Sequence, residues 1–213
     1  MAPPTTTQKN ASRIAPDVMT SPIQFDAAFY RRFYFNRLTR VTTPGEMRVR
    51  AELIAAIIRH AELPVRSILD AGCGIGLLRP AFARVMKRAR YVGLEVSEYL
   101  CRRYGWTQGS VADFRPTAPF DLVVCFDVLQ YLDDRAAARA MANLGRLSRV
   151  ALYFSALTSE DWRRNCDRLR TDGNVNLRPA AWYRARLKRE FYYYGLGVWV
   201  RRTHRTVQWS LEP

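Results

Sequence analysis

A doubly wound α/β fold is predicted for this chain, built on a mostly parallel sheet that ends in an antiparallel hairpin. Three observations point to it. Short apolar runs recur at Ser67–Leu69, Tyr91–Leu94, Leu122–Phe126 and Val150–Phe154. Helical patterns separate them, at about Leu78–Lys87, Glu98–Arg103 and Asp133–Leu147. The first run closes on an acid and then glycines at alternate positions, "ILDAGCGIG" (68–76). Near-continuous apolar strands spaced by helices belong to a parallel sheet covered on both faces.

The elements follow in order. Residues 1–22, rich in Pro and Thr, are read as a flexible tail. Residues 23–64 form an N-terminal helical extension or lid. In it, "FDAAFYRRFYFNRLTRV" (25–41) suggests one or two short helices, and Leu53, Ile54, Ile57, Ile58 and Ala61 recur at helical spacing over Gly45–Glu62. The α/β domain is assigned to 65–213. Asp133 and Asp134 are placed to cap the helix after the third run. Pro179 opens a helix over "PAAWYRARLKREFYYY" (179–194), and "GLGVWVRR" and "RTVQWSLE" are expected to pair as the closing hairpin.

Composition narrows the function. At 213 residues, 48% hydrophobic and 12% aromatic, the chain suits one well-buried domain. No window is apolar enough to span a membrane, so no transmembrane segment is expected. The N-terminus lacks the apolar core of a signal peptide, and a cytoplasmic chain is expected. The four cysteines form no C-x-x-C pair and only two histidines exist, so no metal site is expected. The net charge of +15 raises nucleic acid as a partner, but the basic residues are scattered and are arginine except at Lys9, Lys87 and Lys188.

The glycine loop sits where such sheets bind ligands, at the carboxyl end of a strand. Counting from Gly72, the dinucleotide pattern G-x-G-x-x-G fails at Leu77, and no G-x-x-x-x-G-K-[ST] phosphate cradle exists. A ligand without phosphates accounts for both absences.

"ILDAGCGIG" resembles the first motif of the class I S-adenosylmethionine-dependent methyltransferases, small-molecule type. "YVGLEVS", "GSVADF" and "FDLVVCFDVLQYLDD" resemble their later motifs in order and spacing, over about Val65–Phe154. The resemblance implies a Rossmann-like methyltransferase fold with S-adenosyl-L-methionine as cofactor and S-adenosyl-L-homocysteine as product. It places Asp70, Gly72, Cys73, Gly74 and Gly76 along the loop, with Asp70 toward the ammonium. Glu95 is expected to hold both ribose hydroxyls, a charge-assisted bidentate arrangement. Ser110, Val111 and Asp113 are assigned to the adenine turn. The family often has an acid where Ser110 stands, so either Ser110 or Asp113 accepts from the adenine amine. Cys125 and Phe126 complete the cofactor set.

The acceptor is expected to be a small molecule, aromatic or anionic. "CFDVLQYL" is not the N-P-P-Y-like stretch of base-amine methylation, and no paired cysteines for C5-pyrimidine methylation occur. Phe126, Asp127, Gln130 and Tyr131 are assigned to the region between the methionine end and the acceptor. Tyr30, Tyr34 and Trp182, in segments that mix aromatics with arginines, join Gln130 and Tyr131 as candidate acceptor contacts. Methyl transfer from a sulfonium requires chiefly alignment, with a base only where the acceptor must lose a proton. Asp127, Tyr131 and His204 are the candidate bases. His204 also reads as a turn residue between the two hairpin strands, and His60 as structural. Two alternatives stay open: an RNA-modifying methyltransferase, suggested by the charge, and a non-catalytic cofactor-binding protein of the same fold.

Overall fold

The computed structural model describes residues 24–206. The expected flexible tail and the strand "RTVQWSLE" lie wholly or mostly outside them. The chain begins with a short helix, α1 (Ala27–Tyr30), capped by Asp26 and continued by a π-helical turn over Arg31–Phe35. Helix α2 (Pro44–His60) follows behind a full capping box, in which Thr43 and Glu46 bond each other's backbone amides. Then come β1 (Ser67–Ala71), α3 (Leu78–Val85), β2 (Arg90–Glu95), α4 (Glu98–Tyr104), β3 (Thr107–Gln108) and β4 (Phe120–Phe126). A 3₁₀ turn at Leu129–Tyr131 leads to α5 (Asp134–Leu147), β5 (Ser148–Ser155), α6 (Ser159–Arg164), α7 (Ala180–Glu190), β6 (Phe191–Gly195) and β7 (Val198–Arg201).

The seven strands stand in the order β3-β2-β1-β4-β5-β7-β6. The first five are parallel, and β7 runs antiparallel to both β5 and β6. The strand order reverses between β1 and β4, which puts the switch point at their carboxyl ends. Each face of the sheet carries its own core. One packs Leu69, Val123 and Leu152 under α5 and α7, and the other packs Ile68, Leu122 and Val124 under α2 and α3. Met47, Ala51, Ile54 and Ile58 belong to that second core, so α2 is an integral layer of the sheet and not an appendage. Asp121 ties the amino ends of β1 and β4 together. Its buried carboxylate accepts from the Arg66 and Ser67 amides, the Ser67 hydroxyl and Arg149.

The carboxyl-terminal expectations need correction. The helix from Pro179 stops at Glu190, and Phe191–Tyr194, expected as its last turn, belongs to the strand Phe191–Gly195. Three adjacent tyrosines and a phenylalanine favour the half-buried pleat at a sheet edge over another helical turn. The hairpin therefore joins β6 to β7 through Leu196 and Gly197, one element earlier than expected. His204 falls after β7 and does not lie between the hairpin strands.

Candidate active site

Two cavities meet at the carboxyl ends of β1 and β4. The larger, about 540 Å³, is lined among others by Asp70, Gly74, Phe126, Asp127, Arg50 and Arg170. The smaller, about 90 Å³, lies between Glu95, Ser110 and Val111 on the sheet side and Phe25, Phe29, Tyr30 and Tyr131 on the other. Tyr34, Gly72, Gly74 and Asp127 line both, so they form the seam between the two spaces.

The loop after β1 is shaped by backbone that only glycine adopts freely. Gly72 and Gly76 have φ of +83° and +77°. A Cβ on Gly72 would lie 2.3 Å from the Val128 side chain, and one on Gly76 would lie 2.3 Å from the Trp106 ring. Their missing side chains are thus required by the protein's own packing as well as by the turn. Trp106 also donates to the Gly74 carbonyl at 3.0 Å and braces the loop from below.

Glu95, at the end of β2, is nearly fully buried and gathers four donors. The amides of Val96 and Ser97 bond Oε1 at 2.8 and 3.0 Å, the Tyr30 hydroxyl reaches the same oxygen at 3.4 Å, and the Gly74 amide bonds Oε2 at 2.8 Å. Asp70 is also buried and accepts from the Tyr91 hydroxyl. Burial raises its pKa to about 7, with the Glu95 charge adding and the Tyr91 hydrogen bond opposing.

Asp127 follows β4 with φ of +55°, uncommon for a residue with a side chain. Its amide donates to the Ser155 carbonyl at 3.0 Å, which anchors this turn on the end of β5. Burial raises its carboxyl to about 6, opposed by Arg50 and by the Ser155 hydroxyl. Burial also drives the Tyr34 and Tyr131 phenols well above their ordinary range, so both stay protonated near neutral pH. Tyr131 can donate a hydrogen bond there but is a poor proton acceptor.

Most of the expected site residues come together. Asp70, Gly72, Cys73, Gly74, Phe126 and Asp127 line the larger cavity. Glu95, Ser110, Val111, Tyr30 and Tyr131 line the smaller one, and Tyr34 lines both. Asp113 does not reach either; it is exposed and pairs with Arg139 at 3.4 Å, because the turn after Ser110 rolls its side chain outward. Of the two candidates in that turn, Ser110 is the one on the cavity. Gly76 is covered by Trp106, and Cys125 is buried inside β4. Gln130 is buried with its Oε1 unpartnered and lines neither cavity. Trp182 lies on α7 beneath the Arg186 guanidinium, 3.6 Å from its ring centroid, and is likewise outside both. His204, past β7, is outside both as well.

Sequence reading missed Arg50 and Arg170. Arg50 falls on a helix whose neighbouring Arg48 and Glu52 read as a solvated face. Arg170 lies in a stretch without periodicity. Among the described residues, no group of His, Cys, Asp and Glu could hold a metal ion, and no helix is long and apolar enough to cross a membrane.

The chain is similar to known proteins. Residues 69–149 match a family described as a methyltransferase domain. The chain is 30% identical over 114 residues to a ubiquinone biosynthesis O-methyltransferase of Hahella chejuensis, an alignment covering 47% of each chain. A protein of the same description from Methylococcus capsulatus is 30% identical over 112 residues, 46% of each. The chain therefore spans about half the length of these curated relatives. Among solved structures, Streptomyces venezuelae DesVI superimposes with a TM-score of 0.57 at 21% identity, over 84% of this chain and 99% of that one. Magnesium protoporphyrin IX methyltransferase from Synechocystis with bound S-adenosylmethionine gives 0.52 at 19%, over 83% and 92%. At these identities the structural likeness establishes the fold.

Proposed function

We propose that this chain, whose residues 69–149 match a methyltransferase domain, is a class I enzyme that transfers the methyl group of S-adenosylmethionine to a small-molecule acceptor. The observation that carries this reading is the pair of joined cavities with Asp127 at their seam. The smaller space, beside a buried acid, would take a nucleoside once the aromatic segment over it moves aside, and the larger leaves room for an amino-acid tail and an acceptor.

The residues present fit the cofactor. Oε2 of Glu95 has a single donor, and the weakest of the three contacts on Oε1 is Tyr30 at 3.4 Å. A ribose diol can take the first site and displace Tyr30 from the second. Asp70 offers a buried carboxylate to the ammonium. Arg50 offers a guanidinium whose Nε is buried without a hydrogen-bond partner, matched to the carboxylate. Ser110 and the Val111 backbone border the adenine end. Bound there, S-adenosylmethionine supplies an electrophilic methyl group on a sulfonium that leaves as a neutral thioether.

The chain's own contribution is alignment, exclusion of water and handling of one proton. The aromatic rings of Phe25, Phe29, Tyr30 and Tyr34 cover the nucleoside space. Asp127, with a carboxyl near 6, is ionised at neutral pH and takes the proton that an acceptor hydroxyl loses as its oxygen bonds the methyl carbon, or that an acceptor ammonium loses before its freed nitrogen lone pair attacks. An N-terminal segment, 24–43, that opens and closes over the cofactor belongs to the same proposal.

Calorimetry tests it directly. S-adenosylhomocysteine is expected to bind with a sub-millimolar Kd, and Asp127→Asn to keep that affinity while slowing transfer about 10²-fold or more, the scale of general-base help. Absence of binding would reject the enzyme reading.

A further inference from the structure

Two guanidinium groups face the 540 Å³ cavity, and neither is within ion-pair distance of an acid among the described residues. Arg50 is fixed. Its guanidinium carbon lies 3.8 Å from the Phe126 ring centroid, and one terminal nitrogen donates to the Tyr153 hydroxyl. Arg170, in the stretch between α6 and α7, is also fixed, by a 3.0 Å bond from its Nε to the Arg40 carbonyl. That bond leaves both terminal nitrogens without an acceptor among the described residues. Glu46, the acid whose carboxylate senses Arg170, has its Oε2 taken by the Thr43 amide and the Thr42 hydroxyl.

A guanidinium held at its Nε with its forked end open on a cavity is built for a planar or tetrahedral oxyanion. The cofactor brings one carboxylate, and Arg50, which shares the cavity with Asp70 and Gly74, matches it. The acid nearest its side of the cavity is Glu46, whose Oε2 is held by Thr42 and Thr43 and which makes no ion pair with Arg170. The forked end of Arg170 is therefore open to an anion that arrives with the acceptor.

Resting on the methyltransferase reading above, we infer that the acceptor is an anionic small molecule, carrying a carboxylate or phosphate group that docks on Arg170 while its hydroxyl or amine faces Asp127. The loop bearing Arg170 is in turn locked down by Arg178. That side chain is buried and bonds the carbonyls of Leu129, Leu132 and Asn176 and the Asp134 carboxylate. A specificity determinant on a loop needs such a clamp.

The test is binding to the full chain saturated with S-adenosylhomocysteine, using hydroxy- and amino-carboxylates and sugar phosphates, each beside its neutral amide or unphosphorylated counterpart. At least one anion is expected to bind about tenfold or more tightly than its neutral counterpart, and the carboxylate and phosphate arms decide which group is read. In Arg170→Gln the preference should shrink to about twofold or less, while Arg170→Lys, which keeps the charge but not the fork, retains only part of it, and both variants keep the product affinity. If no anion outbinds its neutral counterpart, or if the preference survives in Arg170→Gln, the inference is overturned. Failure of S-adenosylhomocysteine itself to bind would instead overturn the methyltransferase reading beneath it.

Discussion

Four donors converge on Glu95, and they are not equivalent. The three amides are fixed by the backbone at 2.8–3.0 Å, whereas the Tyr30 hydroxyl stands at 3.4 Å and belongs to the covering segment. Substitution should separate the roles. Glu95→Ala is expected to weaken S-adenosylhomocysteine binding by about 1.5–3 kcal/mol, the range for hydrogen bonds to a charged group. Tyr30→Phe, which frees Oε1 for the ribose, should tighten binding by about 1 kcal/mol. Titration calorimetry on both variants checks the pair, and a loss in Tyr30→Phe would mean that the hydroxyl serves the bound state. Asp70 makes a prediction about pH. Its carboxyl is raised from 3.8 to about 7 chiefly by burial, so the folded chain retains a proton that the unfolded chain has released. Folding is therefore penalised increasingly as pH rises from about 4 to about 7. Asp70→Asn lacks this penalty. Its stability relative to wild type, near zero at pH 4, should grow to roughly a few kcal/mol by pH 7, while its cofactor affinity falls. Thermal melts at stepped pH in the absence of cofactor measure this; a separation that stays constant with pH would remove Asp70 as the carrier of the buried proton. Glu95 and Asp70 were legible in the sequence because strand ends and glycine turns leave a linear signature. Arg50 was not, since its helix reads as amphipathic and only the tertiary packing turns that position toward β4.

At the scale of elements, the strands that position the site were the most legible part. A continuous apolar run such as Leu122–Phe126 has one stable home, the interior of a parallel sheet. Caps were legible too: Asp133 accepts from the Ala136 amide as its position before α5 suggests. The chain from Phe191 onward was not, because "FYYYG" can extend a helix or begin an edge strand, and pairing with β7 decides between them. The stretch between α6 and α7 has no period at all, and its shape is imposed by Arg178. Replacing that residue by Met should leave the Leu129 and Leu132 carbonyls without their charged donor, at about 1–3 kcal/mol for each stranded group. The expected result is a lower melting temperature together with loss of the anion preference carried by Arg170, with product affinity retained. Limited proteolysis should place the first new cleavage between Asn165 and Pro179; cleavage elsewhere would show that Arg178 is not what orders this loop.

For the molecule as a whole, the open question is what a net charge of +15 serves. Several arginines are engaged by partners within the fold. Arg149 neutralises Asp121, Arg178 clamps the loop, Arg201 pairs with Glu190 and bonds the Gly145 carbonyl, and Arg115 bonds Asn143. Others cover aromatic faces, as Arg186 does on Trp182 and Arg50 on Phe126. Charge used in this way contributes to the fold whatever the substrate. An RNA-modifying enzyme would bind its substrate through phosphates, and its affinity would fall steeply with salt. A small-molecule enzyme whose specificity sits in an enclosed cavity would not depend on the outer charge. Incubation with labelled S-adenosylmethionine, in parallel with total RNA and with a desalted low-mass extract, separates the two. Label is expected in the low-mass fraction alone, with a rate that changes by less than about threefold between 50 and 200 mM salt, against the roughly 10³-fold or greater loss of affinity typical of binding through many phosphates. Label in RNA, at a rate that collapses over the same salt range, would transfer the role of the arginine excess from the fold to the substrate.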